Sequence, residues 1–328
     1  MTEHVPRWAQ SAERWQVPLY LGAIGVGAAA GLVLPGGATA GLEIAIEPVL
    51  GLLLYATFLG VPFTRLRESL TDSRFLVTVL VLNFVVVPLV VAALLPLVPG
   101  EAAIRVGVLL VLLTPCIDYV IVFTRLAGGA ADRLLAAAPL LMLAQMALLP
   151  VYFLLFLGPA ATDDLDRGPF LRALLLLIVL PLGAAALTQV LAVRRRAARQ
   201  INRAMTTAMV PLMMVTLAVV VGSQIHEVVG SASMILALIP IYAGWFVVMP
   251  AIGALAARMA RLDAPRGRAL ILSGATRNSL VVLPLALALP PALGLAPAVV
   301  VTQTLVELVA LVVLIRVLPR LARVRATA

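Results

Sequence analysis

The chain has 328 residues, of which 63% are hydrophobic and 12% charged, with a mean hydropathy of +1.12. A soluble domain carries about 25% charged residues, so this composition excludes an ordinary water-soluble fold. The formal net charge is +9, and every one of the 24 basic residues is an arginine. These arginines flank apolar runs and do not line a basic face of a soluble module, so a nucleic-acid partner has no support.

An apolar run of about 20 residues matches the ~30 Å hydrocarbon core of a bilayer and reads as a transmembrane helix. In chain order such spans are predicted at roughly 17–34, 44–62, 76–98, 103–126, 134–158, 171–193, 205–225, 231–257, 267–289 and 296–316. No stretch alternates in the manner of a barrel strand, and a bilayer admits only helices or closed barrels. The expectation is an all-α polytopic membrane protein with ten transmembrane helices. Residues 1–16 are expected to form a cytoplasmic tail, 17–316 a single transmembrane transporter domain, and 317–328 a second cytoplasmic tail. The first run begins at Val17, after a mixed Arg/Glu segment without a small-residue cleavage site, so it reads as a retained span and not a signal peptide.

Positive charge sets the orientation. With the N-terminus inside, alternate connections collect Arg7 and Arg14, then Arg65, Arg67 and Arg74, then Arg125 and Arg133. The same side receives the cluster from Arg194 to Arg203, the group from Arg258 to Arg268, and the arginines from Arg316 onward. The opposite side keeps Arg105, Arg167 and Arg172 beside Glu101, Asp163, Asp164 and Asp166. This bias places both termini in the cytoplasm of a multi-pass protein of the cell membrane, with anionic lipid as the natural counterpart of the basic side.

Five spans precede the acidic loop 162–166 and five follow it, so a duplicated half must sit inverted: repeat 1 at about 17–158 and repeat 2 at about 171–316. Leu113-Thr114-Pro115-Cys116 interrupts the fourth span, and Ser273-Gly274-Ala275-Thr276-Arg277-Asn278-Ser279 interrupts the ninth. Paired interruptions at matching places in two halves point to the midplane site of a transporter. Two unrelated kinks, with Pro115 and Gly274 as their causes, are the plainer alternative.

Three ionisable residues fall inside spans: Asp118, Arg277 and Glu307. Each carries about 2.5–3.5 kcal/mol at bilayer depth, so each needs a partner or water. Arg277 paired with Glu307 or Asp118 would lower that cost, either as part of an ion-coupling site or as a purely architectural bridge between helices. Cys116 is the single cysteine, which excludes an intramolecular disulfide, a CxxC redox pair and a thiolate zinc cluster. Pro115 suits the first position of a restarted helix, and Thr114 can cap it. Cys116 would then occupy the first turn, where the positive dipole end favours thiolate. A lone cysteine in an apolar helix is otherwise a small hydrophobe.

The stretch Thr114-Pro115-Cys116-Ile117-Asp118-Tyr119-Val120, followed by Phe123-Thr124-Arg125-Leu126-Ala127-Gly128-Gly129, resembles the fourth helix of the arsenical-resistance-3 family of arsenite efflux permeases. That family sits with the bile acid/sodium symporters in one superfamily. The resemblance continues at Gln145 and Pro150-Val151-Tyr152, at Ala275-Thr276-Arg277-Asn278-Ser279 and at Leu305-Val306-Glu307. It implies two inverted five-helix repeats with discontinuous helices 4 and 9 crossing near the midplane. Helices 1, 2, 6 and 7 would form a panel, and helices 3–5 and 8–10 a core. It implies substrate contacts from Cys116, Thr114 and Asn278, with Cys116 as a transient arsenite ligand and Glu307 as the acid tied to export. Better-known members carry a second Asn where this chain has Arg277, and an acid about one turn later, near Leu280 and Val281. Arg277 is therefore expected to fill space that a bound cation would take, favouring proton coupling through Glu307 or Asp118 over sodium.

Arsenite at neutral pH is mostly an uncharged trihydroxide with a soft, thiol-seeking centre, and one thiolate permits capture and release where three would trap it. The sequence thus points to arsenite, or antimonite, export by proton antiport. The alternative is sodium- or proton-coupled transport of a small organic anion held by Arg277. An enzyme is not expected, since His226 is the only histidine outside the N-terminal tail. No cofactor is expected, and without lysine there is no nucleotide-binding GxxxxGK[ST] loop.

Overall fold

The structure is a computed structural model that describes residues 15–33, 36–60, 70–117, 119–163, 179–230, 232–287, 289 and 291–321. Among these residues the only β-type pairing is an isolated bridge between Pro115 and Arg277, and all regular elements are helices. Among the described residues, four helices are long and apolar enough to cross a bilayer: Ser73–Leu97, Ala131–Phe156, Ala232–Met259 and Ala296–Pro319. They fall on the third, fifth, eighth and tenth expected spans. Arg196–Thr207 and Met209–Ser223, bent by 52°, make a fifth candidate at the seventh. Shorter apolar helices stand at Pro18–Val33, Pro48–Gly60, Ala102–Leu112 and Leu180–Ala192.

The chain gathers into two compact units, Met1–Val61 with Gly168–Ser231, and Pro62–Arg167 with Ala232–Ala328. The first contains α1 (Gln16–Val33), α2 (Gly36–Gly60), α7 (Leu180–Ala192), α8 (Arg196–Thr207) and α9 (Met209–Gly230). Helix α1 packs along α9, where Gly27 and Gly31 lie directly against the backbone at Ala218 and Gly222. Small residues four apart on both helices permit this approach, the usual means of close helix packing in lipid. Helix α2 is tied to α7 by a 2.8 Å hydrogen bond between the Tyr55 and Thr188 hydroxyls. Helix α8 is polar where its neighbours are apolar, and it exposes Arg196, Arg199 and Arg203. Arg199 also donates to the carbonyl of Ala192 at the end of α7, at 3.0 Å.

The second unit contains α3 (Ser73–Leu97), α4 (Ala102–Leu112), α5 (Tyr119–Leu126), α6 (Ala131–Asp163), α10 (Ala232–Met259), α11 (Ala264–Ala275), α12 (Ser279–Leu287) and α13 (Ala296–Leu321). Helix α3 begins with Asp72 accepting from the Phe75 N–H at 3.3 Å and widens into a π turn at Leu82–Val86. Pro88 cannot supply the N–H that the Phe84 carbonyl would accept. Tyr152 of α6 supplies it instead, its hydroxyl donating at 2.5 Å. An orphan left by one helix is thereby satisfied by another. Helix α5 ends in a left-handed turn at Gly128, with φ of 67°, where the N–H of Gly129 donates to the Thr124 carbonyl at 2.8 Å. A Cβ there would also strike the Arg268 guanidinium, so glycine meets both conditions.

Candidate functional site

The second unit holds two helices broken in midcourse. Helix α4 stops at Leu112 and α5 begins at Tyr119, while α11 stops at Ala275 and α12 begins at Ser279. The breaks meet in an antiparallel bridge between Pro115 and Arg277. Its two backbone bonds run from the Cys116 N–H to the Thr276 carbonyl, 3.3 Å, and from the Asn278 N–H to the Thr114 carbonyl, 2.8 Å. The residue before a proline prefers extended backbone, and Thr114 sits there. Cys116 therefore lies in the extended break, not in the first turn of α5. The Thr114 hydroxyl turns back to the Leu110 carbonyl at 2.7 Å and does not cap the following helix. Gly274 lies in the last turn of α11, one residue before its end, where any side chain would collide with Leu82 of the π turn. Asp118 lies outside the described residues.

Charge is separated across this junction. The Arg277 side chain turns to the C-terminal ends of the broken helices. It donates to the Leu112 carbonyl at 3.2 Å, the Ser273 carbonyl at 3.0 Å, the Gly274 carbonyl, and Asn83 Oδ1 of the π turn at 3.1 Å. Its Cζ also stands 5.3 Å from the centre of the Trp245 ring, whose Nε1–H donates to the Ala275 carbonyl at 2.9 Å. A cation belongs at helix C-termini, where unpaired carbonyls carry partial negative charge, and over an aromatic face.

Glu307 of α13 takes the complementary place, by the N-terminal ends of α5 and α12. Its Oε1 accepts from the Tyr119 hydroxyl at 2.6 Å. Its Oε2 accepts from the Arg277 backbone N–H at 2.9 Å and from Gln303 Nε2 at 2.6 Å. The Arg277–Glu307 contact is thus made by the main chain, and the guanidinium points elsewhere. Asn278 Oδ1 accepts from the Val281 N–H at 3.3 Å, which caps α12. Cys116, Arg277, Asn278 and Glu307 are all completely buried. Arg277 Nε, Asn278 Nδ2 and Gln303 Oε1 are buried without a hydrogen-bond partner, so the pocket carries unused polar capacity.

The junction thus unites Thr114, Pro115, Cys116, Arg277, Asn278 and Glu307 and adds residues the sequence reading passed over. Asn83 was detectable as the one amide in an apolar run, and Gln303 as a polar residue one turn before Glu307. Tyr119 lies inside the motif of the fourth span, three residues after Cys116. Among the described residues no group of three or more His, Cys, Asp or Glu could hold a metal ion.

Long apolar helices with a buried, charge-separated junction of two helix breaks define a membrane transporter. Residues 47–231 match the model of the Sodium Bile acid symporter family, more than half of the chain, and the chain belongs to that family. It is therefore an integral membrane protein of a transporter family, whose members are not enzymes. The match includes the α4–α5 break with Cys116 and ends before Arg277 and Glu307. A search of curated proteins finds no match.

Proposed function

We propose that this protein exports arsenite, or the chemically similar antimonite, across the cell membrane by proton antiport. The observation that carries the reading is the position of Cys116, held by its backbone in the same buried junction as Glu307. A neutral metalloid trihydroxide would condense with the thiol: an S–As bond forms, an As–O bond breaks, and the released hydroxyl leaves with the thiol proton as water. Hydrolysis on the far side reverses the step, so capture and release balance without a redox partner. Thr114 and Asn278 belong to the same pair of breaks, joined by the bond from the Asn278 N–H to the Thr114 carbonyl, and the unpartnered Nδ2 of Asn278 is a donor suited to a substrate hydroxyl.

Glu307 is proposed as the proton carrier. Sodium is disfavoured as coupling ion because the Arg277 guanidinium already occupies a cage of three carbonyls and the Asn83 amide oxygen. The same bonds weaken the organic-anion alternative, since they engage both terminal nitrogens of Arg277 and leave Nε as its one nitrogen without a partner. We further infer ten transmembrane helices in two inverted repeats, 17–158 and 171–316, with both termini cytoplasmic. The compact units would be the panel and the core, in line with each unit drawing matching portions from both halves of the chain.

Everted membrane vesicles carrying the native protein should accumulate arsenite when an inward-acid proton gradient is imposed. Cys116→Ser, at equal expression, should abolish that uptake. Uptake that survives the serine substitution, or that follows sodium and not protons, would overturn the reading.

A further inference from the structure

Glu307 is surrounded by donors. The Arg277 backbone N–H, Gln303 Nε2 and the Tyr119 hydroxyl all point at its carboxylate, from three different elements. That shell suits an ionised carboxylate, and it raises a difficulty for any proton carrier. Once protonated, Glu307 becomes a donor and needs an acceptor in a pocket where it is completely buried. A backbone N–H cannot accept. The Gln303 amide can accept only by turning over, which moves two heavy atoms inside a closed pocket.

Tyr119 differs from both. Its hydroxyl stands 2.6 Å from Glu307 Oε1 and 3.0 Å from the Arg277 carbonyl oxygen, two acceptors for one hydrogen. We propose that Tyr119 is the hydrogen-bond switch that lets Glu307 hold its proton. With Glu307 ionised, the Tyr119 O–H donates to Oε1. With Glu307 protonated, Oε1–H donates to the Tyr119 oxygen, and the tyrosine hydrogen rotates to the Arg277 carbonyl. No heavy atom moves. The only covalent change is the O–H bond that Glu307 gains, its proton coming from solvent hydronium.

Of the other groups around the junction, the buried Ser279 hydroxyl at the start of α12 bears on the Tyr119 oxygen and not on Glu307. Arg277 presents its main chain to Glu307 and its charge to the helix ends. Cys116, in the α4–α5 break, lies within electrostatic range of both Tyr119 and Arg277. On α10 the Tyr242 hydroxyl donates to the Val299 carbonyl of α13 at 3.3 Å. The switch also carries the state of Glu307 into the breaks, since Tyr119 is the first residue of α5 and Arg277 lies in the α11–α12 break. Tyr119 is a positioning residue, and its role rests on the reading of Glu307 as proton carrier.

The test is infrared difference spectroscopy on the reconstituted protein through an acid titration, with ring-labelled tyrosine and the variants Tyr119→Phe, Gln303→Met and Glu307→Gln. The native protein should gain a carboxylic-acid band, absent in Glu307→Gln, together with a shift of a tyrosine C–O band over the same pH range. That tyrosine shift should vanish in Tyr119→Phe and Glu307→Gln and persist in Gln303→Met. Proton-driven accumulation in vesicles should be lost in Tyr119→Phe. An acid band that titrates with no tyrosine shift overturns the switch and leaves the proton carrier standing. An amide shift that disappears in Gln303→Met would assign the role to Gln303 instead. An acid band that is missing from the native protein, or unaffected by Glu307→Gln, removes the proton carrier itself.

Discussion

Arg277 is the residue whose surroundings say most about coupling. Its guanidinium is bound by oxygens at 3.0–3.2 Å, with the Gly274 carbonyl as a further acceptor. Three of those oxygens are carbonyls at the negative ends of two helices. Removing the charge while keeping a neutral side chain leaves a polar hollow that favours a small cation. Arg277→Gln is therefore expected to melt at a higher temperature in sodium than in choline, while the native protein shows no difference. A cation at ten times its Kd would stabilise the variant by about 1.4 kcal/mol. Equal melting in both salts would show that the cage is not a latent cation site. Asn83→Leu tests the same shell from the other side, since losing one hydrogen bond to a buried charge costs about 1.5–3 kcal/mol.

The residue scale also marks how far the sequence could be read. Cys116, Arg277 and Glu307 stand out because a thiol beside a proline, or a charge in an apolar run, needs a physical reason. Which atoms of Arg277 meet Glu307 depends on the rotation of α11 and α12 about their axes. Hydropathy does not specify that rotation, so the side chain's turn toward Asn83 and the carbonyls was not legible. Tyr119 was hidden for a different reason. Its hydroxyl gains meaning only from two acceptors 158 and 188 positions away along the chain.

At the scale of elements, the breaks were legible and their geometry was not. Pro115 announces an interruption, and a restarted helix at Cys116 is the economical expectation. The structure keeps the chain out of a helix through Ile117, where the second break offers backbone partners at Thr276 and Asn278. A tertiary pairing thus overrides a local capping preference. Close helix packing is easier to test. Gly27→Leu would press a side chain into the backbone of α9 at Ala218, and overpacking of this kind costs about 1–3 kcal/mol. A lowered melting temperature in lipid nanodiscs is expected, whereas an unchanged one would mean that α1 and α9 do not pack this closely.

A second element-scale device lies at the start of α11. Asp263 accepts from the Arg266 backbone N–H and from its side-chain Nε, both at 3.0 Å, and Arg266 also reaches Asp72 at 3.1 Å. Partial burial alone would raise the Asp263 carboxyl, but the Arg266 bonds outweigh it and hold the group below its ordinary value. A carboxyl lowered on folding stabilises above its unfolded pKa of about 3.9 and loses that contribution as pH falls through the folded value. The native protein should therefore lose stability faster than Asp263→Asn below about pH 4, as followed by thermal melts across that range. Parallel curves would show that the cap contributes nothing through its charge.

At the scale of the whole molecule, transport requires that a buried junction become accessible from each side in turn. Cys116 is both the proposed ligand and the chain's single cysteine, so it reports on its own exposure without engineering. In this conformation it is completely buried, and alkylation by a membrane-permeant maleimide has to wait for opening. Labelling should be slow at rest, should proceed as the protein cycles, and should be suppressed by excess arsenite. Glu307→Gln separates the two components, because it removes the carboxylate proposed to carry the proton while leaving the thiol in place. If Glu307 drives the conformational cycle, labelling of that variant should lose its dependence on an imposed proton gradient but keep its protection by arsenite. Protection without gradient dependence in the native protein would mean that the junction binds substrate without being driven by protons. Labelling indifferent to arsenite in both proteins would mean that Cys116 is a packed hydrophobe at a helix break and that the substrate must be sought among groups other than soft metalloids.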